Sequence, residues 1–135
     1  MIETYRGAVY PNELDHMGHM NVQYYTAKFD SATWHLFNEV GLNRSYFEDN
    51  LIGMAAVEQT TNYKQELFAG DIVHIRSQII DIKNRAFKFQ HFMYNSSTDF
   101  EVARTQLVAA HIDQKTRKSC SINDYIKEKM VTLLA

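Results

Sequence analysis

Several kinds of residue are scarce in this chain of 135 residues, and each scarcity excludes a class of protein. A single cysteine, Cys120, excludes an intramolecular disulfide framework and fits a reducing compartment. No apolar run approaches the roughly 20 residues that cross a bilayer, and the first residues lack the apolar core of a signal peptide. The formal net charge is −2, so no basic field would attract nucleic acid. These features predict a cytoplasmic protein with one domain over residues 1–135.

Proline and glycine are also scarce, whereas aromatic residues are abundant. One proline and five glycines favour long regular elements joined by short turns, and aromatic residues make up 13% of the chain. Asn21 is a suitable N-cap for a helix over 22–41, in which apolar residues recur at helical spacing. Further apolar side chains lie on other faces of this helix. We therefore expect a larger structure to surround it.

The remaining apolar segments predict a sheet. Glycine, asparagine and aspartate mark short turns between them, and short turns join antiparallel neighbours. The polar stretch 43–52 is predicted to be a loop, and 123–133 a short final helix. The layout favours an α+β fold in which a curved five-stranded antiparallel sheet wraps around one long central helix. The predicted strands are 2–10, 54–65, 72–83, 86–96 and 101–113.

The stretch 15–25, Asp-His-Met-Gly-His-Met-Asn-Val-Gln-Tyr-Tyr, carries the strongest functional signal. It sets a carboxylate, two imidazoles, a glycine and a capping residue directly before the predicted long helix. The amide N–H groups of a first helical turn have no partner within the helix, and the helix dipole adds partial positive charge there. This is a suitable place for an anion, or for an oxygen that becomes one during a reaction.

The layout and this motif together resemble the hot-dog fold of the 4-hydroxybenzoyl-CoA thioesterase-like acyl-CoA thioesterases. The resemblance rests on Asp15, on Gly18 three residues later, and on the helix start from Asn21 to Tyr25. Tyr63, followed by Gly70-Asp71, resembles a further family passage between the second and third strands. The resemblance covers about residues 5–112.

The resemblance implies a catalytic role for Asp15, which would attack the thioester carbonyl or activate a water for that attack. The backbone N–H of Val22 would then stabilise the oxyanion. Gly18 would allow close approach of the substrate or a positive φ angle. His19 would orient Asp15 or the substrate, or hydrogen-bond within the loop.

Other residues are expected to contact the substrate. Asn21 is expected at the site and acts first as a helix cap, whereas Tyr25 would combine helix packing with lining of an acyl pocket. The family places basic residues in the turn between the third and fourth strands to meet the CoA phosphates. Lys83 and Arg85 occupy that turn here, and arginine has the fork geometry suited to phosphate. Asn84 between them departs from the more basic turn of some members, which leaves CoA or another acyl carrier open.

Several residues have simpler interpretations. His16, His19 and Asp15 could chelate zinc, but no further strong ligand lies at a recognisable spacing, so we expect no metal. Glu58 on the second strand is a secondary candidate for a catalytic acid. Cys120 is expected to be a bystander, because no histidine lies at a motif spacing from it. Three further histidines, His74, His91 and His111, are expected to be ordinary sheet residues.

The leading hypothesis is hydrolysis of a small or medium acyl-CoA, with no cofactor beyond the CoA of the substrate. Two subunits should pair edge to edge, as a homodimer or a tetramer of dimers, because a short curved sheet leaves an exposed edge. The site would then lie at the subunit interface. A dehydratase or hydratase acting on a carrier-bound acyl chain and a non-catalytic acyl-CoA binding module remain alternatives.

Overall fold

A computed structural model describes all 135 residues and contains one five-stranded sheet, three α-helices and a short 3-10 helix at Pro11–Glu13. The strand order is β1-β3-β4-β5-β2, and every neighbouring pair is antiparallel. The predicted α+β class and antiparallel sheet are therefore confirmed. No helix is long and apolar enough to span a membrane. The elements are β1 (Ile2–Ala8), α1 (Val22–Glu39), α2 (Arg44–Asn50), β2 (Ile52–Tyr63), β3 (Ile72–Ile82), β4 (Ala86–Asn95), β5 (Glu101–Asp113) and α3 (Asp124–Val131).

Asn21 and Gly41 mark the two ends of helix α1. The Asn21 side chain accepts a hydrogen bond from the Gln23 N–H, which satisfies one free donor of the first turn. After the last turn, Gly41 adopts φ +88°, a conformation that favours glycine. A Cβ there would also lie 2.9 Å from Cδ1 of Ile126, so the end of this side chain on α3 would have to shift.

The buried side of α1 packs mainly against β1 and β3. Two apolar clusters result, one around each half of the helix. Phe29 and Tyr25 pack with Ile75 and Met93 near the start of α1, where Phe29 is 1% exposed. The second cluster surrounds the end of the helix and includes α3; its members include Leu36, Phe37, Phe87, Phe89, Leu107, Ile126 and Met130.

A chain of buried polar side chains lies between the sheet and the middle of α1. The Thr33 hydroxyl donates to the Phe29 carbonyl oxygen at 3.1 Å, so it accepts from Nε2 of His91 at 2.8 Å. The other ring nitrogen, Nδ1, then accepts from the Ser77 hydroxyl at 2.5 Å, and Ser77 contacts the Thr4 hydroxyl at 2.7 Å. Each polar atom has a partner while His91 stays neutral, and burial lowers the pKa of His91 to about 3.

The predicted loop over 43–52 is wrong, because residues 44–50 form α2. Asn43 caps this helix by accepting from the Tyr46 N–H, and Leu51 ends it with φ 53°. The exposed side is polar and carries an Arg44–Glu48 ion pair. Phe47 packs on the other side, edge-on to the ring of Trp34. A single short apolar side gave too weak a pattern for a helix to be predicted.

Strand β2 lies at one edge of the sheet and is exposed along most of its length. Residues 55–60 are all exposed, and the Val57 side chain is 62% exposed. The side of α1 beside β2 is also uncovered: Trp34, which lines a cavity with Met54, is 58% exposed, and Val22, which lines a cavity with Tyr63, is 57% exposed. An edge of this length, with apolar side chains beside it, is typical of a surface that pairs with another chain.

Candidate active site

The loop that carries Asp15 is a tight turn held by its own backbone. The Asp15 N–H donates to the His19 carbonyl oxygen at 2.7 Å, and the Gly18 N–H donates to the Asp15 carbonyl oxygen at 3.1 Å. Gly18 adopts φ +82°, which the turn requires and which L-residues with side chains rarely adopt. Leu14 and Met20 pair across the base of the turn. The positive φ angle expected at Gly18 is therefore present.

The Asp15 carboxylate is oriented by two backbone amides. Its Oδ1 atom accepts from the Met17 N–H at 2.8 Å and from the His19 N–H at 3.3 Å. The hydrogen bond from Met17 is the main cause that holds the pKa of Asp15 below its ordinary value. The other oxygen, Oδ2, receives no hydrogen bond within the chain. Asp15 thus stays ionised and keeps one oxygen free for an external partner.

The start of α1 supplies a free donor near this carboxylate. Val22 is the first residue of α1, and its backbone N–H has no acceptor within the chain. The Asn21 carbonyl oxygen accepts from the Tyr24 N–H, while the Asn21 side chain is occupied by Gln23. The expected cap is therefore present, and the Val22 N–H is left available for an oxygen of a ligand.

Asp15, His19, Val22 and Tyr25 line one cavity of about 270 Å³. The structure thus brings together four of the residues singled out from the motif. Four of the nine lining residues, however, come from the end of β2 and the chain that follows it, which spacing around Asp15 could not show. These four residues are Tyr63, Lys64, Gln65 and Glu66.

His19 is oriented by Glu66 across the cavity. The Nε2 atom of His19 lies 3.1 Å from Oε2 of Glu66, and the Phe68 ring stands edge-on to the imidazole at 5.1 Å between centroids. The backbone N–H of His19 meanwhile donates to Asp15. His19 therefore supports the carboxylate through its backbone and presents its ring to Glu66, a partner that sequence reasoning missed.

Tyr25 is buried and fixes the far wall of the cavity to α1. Its hydroxyl donates to the Gln65 carbonyl oxygen at 3.0 Å, and its ring packs edge-on against Tyr63 at 5.2 Å. Burial raises the pKa of Tyr25 to about 12. The hydroxyl is therefore neutral and already paired, so Tyr25 shapes the cavity rather than supplying a proton.

Lys83 and Arg85 lie at the opposite end of the sheet from Asp15. The Asp15 loop is tied to the segment before β3, where the Met20 N–H donates to the Leu67 carbonyl oxygen. Lys83 and Arg85 follow β3, whose 11 residues span roughly 35 Å at about 3.3 Å per residue. Lys83 and Arg85 are therefore far from the Asp15 cavity within one chain. Their role in CoA binding stays a prediction, and it requires a second subunit.

A larger cavity of about 430 Å³ lies farther along α1. It fills the space between α1, α2 and the β2 side of the sheet, and it begins at Thr26, one helical turn beyond Val22. Its wall is mostly apolar, although Asp30, Thr33 and Gln59 contribute polar groups. The aromatic part of the wall consists of Phe29, Trp34, Phe37, Phe47 and Phe89.

The secondary candidates lie elsewhere. Glu58 is exposed at a bulge of edge strand β2, beside a smaller cavity that Lys83 also lines. Cys120 does contact a histidine, which the sequence spacing did not reveal: its Sγ lies 3.3 Å from Nδ1 of His111. Burial nevertheless raises the pKa of the Cys120 thiol, whereas a nucleophilic thiol needs a lowered one. Neither group lines the Asp15 cavity.

Comparison of the sequence with known proteins finds thioesterase relatives. The sequence profile of the "Thioesterase-like superfamily" matches residues 9–130. The betainyl-CoA thioesterase of Pseudomonas aeruginosa is 22% identical over 112 residues, which cover 83% of this chain and 70% of that protein.

Solved structures share the fold over nearly the whole chain. A hypothetical protein from Staphylococcus aureus, solved in complex with CoA, has a TM-score of 0.91 at 17% identity and covers 99% of this chain and 87% of its own. The probable thioesterase YbaW from Escherichia coli has a TM-score of 0.81 at 20% identity, over 97% and 98% of the two chains. These likenesses confirm the predicted fold.

Proposed function

The chain belongs to the thioesterase-like superfamily, as predicted, and from this premise we propose that it hydrolyses acyl-CoA thioesters to a free acid and CoA. The observation that carries the proposal is the pairing of two groups in one cavity. Asp15 offers an ionised carboxylate with a free oxygen, and Val22 offers an unpaired N–H at a helix start. Hydrolysis of a thioester needs both a nucleophilic oxygen and a donor for the oxyanion.

In this mechanism the thioester carbonyl oxygen accepts a hydrogen bond from the Val22 N–H. The free Oδ2 of Asp15 then attacks the carbonyl carbon, the thioester C–S bond breaks and CoA leaves as its thiolate, and water hydrolyses the resulting acyl-aspartate to the free acid and the Asp15 carboxylate. Alternatively, Oδ2 takes a proton from a water that attacks the carbonyl carbon directly, the C–S bond breaks, and the departing thiolate takes up that proton. Both routes need Asp15 ionised, and its lowered pKa supports either. The oxyanion donor is worth about 10²–10³ in rate at comparable sites.

The carrier in this proposal is CoA. Two similar proteins support it by their own descriptions, the betainyl-CoA thioesterase and the Staphylococcus aureus structure in complex with CoA. The acyl group would extend from Val22 toward the larger cavity that begins at Thr26. That volume lies within the usual range of small-molecule sites and accommodates a small or medium acyl group.

We also propose that two copies pair through β2. The exposed edge offers unpaired backbone groups along residues 55–60, and the Val22 and Trp34 side chains flank it. A two-fold pair of such edges would extend the sheet and bury these apolar groups. Because the end of β2 leads directly into the Asp15 cavity, the site would then lie beside the interface.

A panel of acyl-CoA esters tests the proposal. Purified protein is incubated with esters from acetyl to dodecanoyl and with aromatic esters, and released thiol is measured. We expect turnover of at least one ester with kcat above about 1 s⁻¹, the lower end of typical enzymes. Tight CoA binding by calorimetry without thiol release over hours would contradict the proposal and indicate a binding module. Loss of the conjugated absorbance of an enoyl-CoA without thiol release would indicate a hydratase.

A further inference from the structure

One buried ion pair stands beside the proposed site without lining it. Lys28 of α1 is only 5% exposed, and its Nζ lies 3.0 Å from both carboxylate oxygens of Glu13. The Glu13 side chain is 13% exposed, and the ring of Tyr5 covers the ammonium at 5.9 Å. Fully desolvated lysine is rare in proteins unless it is paired.

Glu13 connects both ends of the Asp15 loop to α1. Its Oε1 atom accepts from the Tyr10 N–H at 3.0 Å, before the loop, and its carbonyl oxygen accepts from the Asn21 N–H at 2.8 Å, after it. Asp15 follows Glu13 by two residues, and Val22 follows Asn21 by one. The same residue therefore adjoins the carboxylate and the amide that the proposed mechanism uses.

Lys28 anchors the Glu13 side chain to α1. It lies six residues after Val22 on the same helix, and helical side chains lean toward the helix N-terminus. The ammonium can therefore hold the loop against the helix that carries the oxyanion donor. The Met20 N–H and the His19 ring tie the Asp15 loop to the segment before β3, so the Glu13 side chain is the side-chain link that sets the position of the loop relative to α1.

We propose that the Glu13–Lys28 ion pair is a positioning device that fixes the Asp15 carboxylate relative to the Val22 N–H. The inference rests on the proposed thioesterase mechanism. Stability alone does not account for the pair, because replacing a buried ion pair by apolar residues of similar volume is often neutral or stabilising. A role in positioning Asp15 relative to Val22 does account for the pair, because a displacement of about 1 Å at a reacting centre can cost about 10²-fold in rate.

The decisive variant replaces both partners together, Glu13→Leu with Lys28→Met, so that no unpaired charge is left buried. We expect kcat on the best thioester to fall at least about 10-fold, with KM within about threefold of wild type and no fall in melting temperature. The exposed Glu3–Arg6 pair of β1 offers the matched control, Glu3→Leu with Arg6→Met, which should keep kcat. Unchanged kcat in the double variant would overturn the inference.

Hydrogen–deuterium exchange separates this inference from the proposed function. In the double variant, amides of residues 13–22 should exchange at least about 10-fold faster, while those of β3 and β4 stay protected. This result is expected whether or not any thioester is hydrolysed, and unchanged exchange would overturn the inference. If the double variant fails to fold, Glu13→Gln provides the test. It keeps an oxygen for Tyr10 and Lys28 but loses the charge. We expect it to fold and to show smaller changes of kcat and of amide exchange in the same directions.

Discussion

His91 makes the stability of this protein depend on pH in a way that the structure allows to be calculated. The ring is completely buried in the polar chain from Thr4 to Thr33, and burial lowers its pKa from an ordinary 6.5 to about 3. Between these two values the unfolded chain binds a proton at His91 and the native protein does not. Stability is therefore fully present above pH 6.5 and falls as the pH drops below it, by about 1.4 kcal/mol per pH unit. From pH 7 to pH 5 the expected loss is about 2 kcal/mol.

The assay is urea unfolding of wild type and His91→Gln at pH 7, 6 and 5, at one fixed protein concentration. Glutamine can accept from Ser77 and donate to Thr33 but does not titrate. Other groups titrate in both proteins, so the difference between the two pH dependences isolates His91. The variant His35→Gln, at an exposed position of α1, serves as the control.

We expect the free energy of unfolding to fall about 2 kcal/mol more in wild type than in His91→Gln over this range. The absolute stability of the variant at pH 7 does not matter to this comparison. If both proteins lose stability in parallel, His91 is protonated or solvated in the native state, and the neutral hydrogen-bonded chain described above is incorrect.

Three further predictions concern the core, the carboxylate and the sheet edge. Phe29→Ala should lower the free energy of unfolding by about 3–5 kcal/mol, because it leaves a cavity among fully buried side chains; a loss below 1 kcal/mol in urea unfolding would refute this. The acid limb of the kcat/KM profile should lie below about pH 4, because Met17 holds the pKa of Asp15 below its ordinary value, and a limb at higher pH would argue against Asp15. Val57→Lys should weaken pairing through β2 by like-charge repulsion, measured by light scattering across protein concentrations, and an unchanged dimer would exclude this edge.

The sheet and α1 were predictable because their patterns are long and consistent. The predicted helix 22–41 is found as Val22–Glu39, and the strand 101–113 has the predicted bounds. Asn21 and Gly41 mark the helix ends by chemistry that depends only on neighbouring residues. By contrast, α2 has seven residues and one apolar side, too few for a period to be recognised.

The site was only half predictable, for a related reason. Asp15 and Val22 belong to one continuous motif, so their proximity follows from local structure. Glu66 reaches His19 only because β2 runs back along the sheet, a contact between residues 47 positions apart. Such pairings depend on register and topology, which spacing along a chain does not encode. The distance of Lys83 from Asp15 is a result of the same kind, set by the length of β3.

The central claim is that the Asp15 carboxylate performs the chemistry, and Asp15→Asn tests it most directly. Asparagine keeps an oxygen that can accept from Met17 and His19 but can neither attack the carbonyl nor take a proton from water. The measurement is kcat on the best acyl-CoA, with Asp81→Asn, at the opposite end of the sheet, as the matched control. We expect a fall of about 10²–10⁴-fold in Asp15→Asn, at similar KM and melting temperature, and no change in the control. Turnover of Asp15→Asn within twofold of wild type would contradict the account.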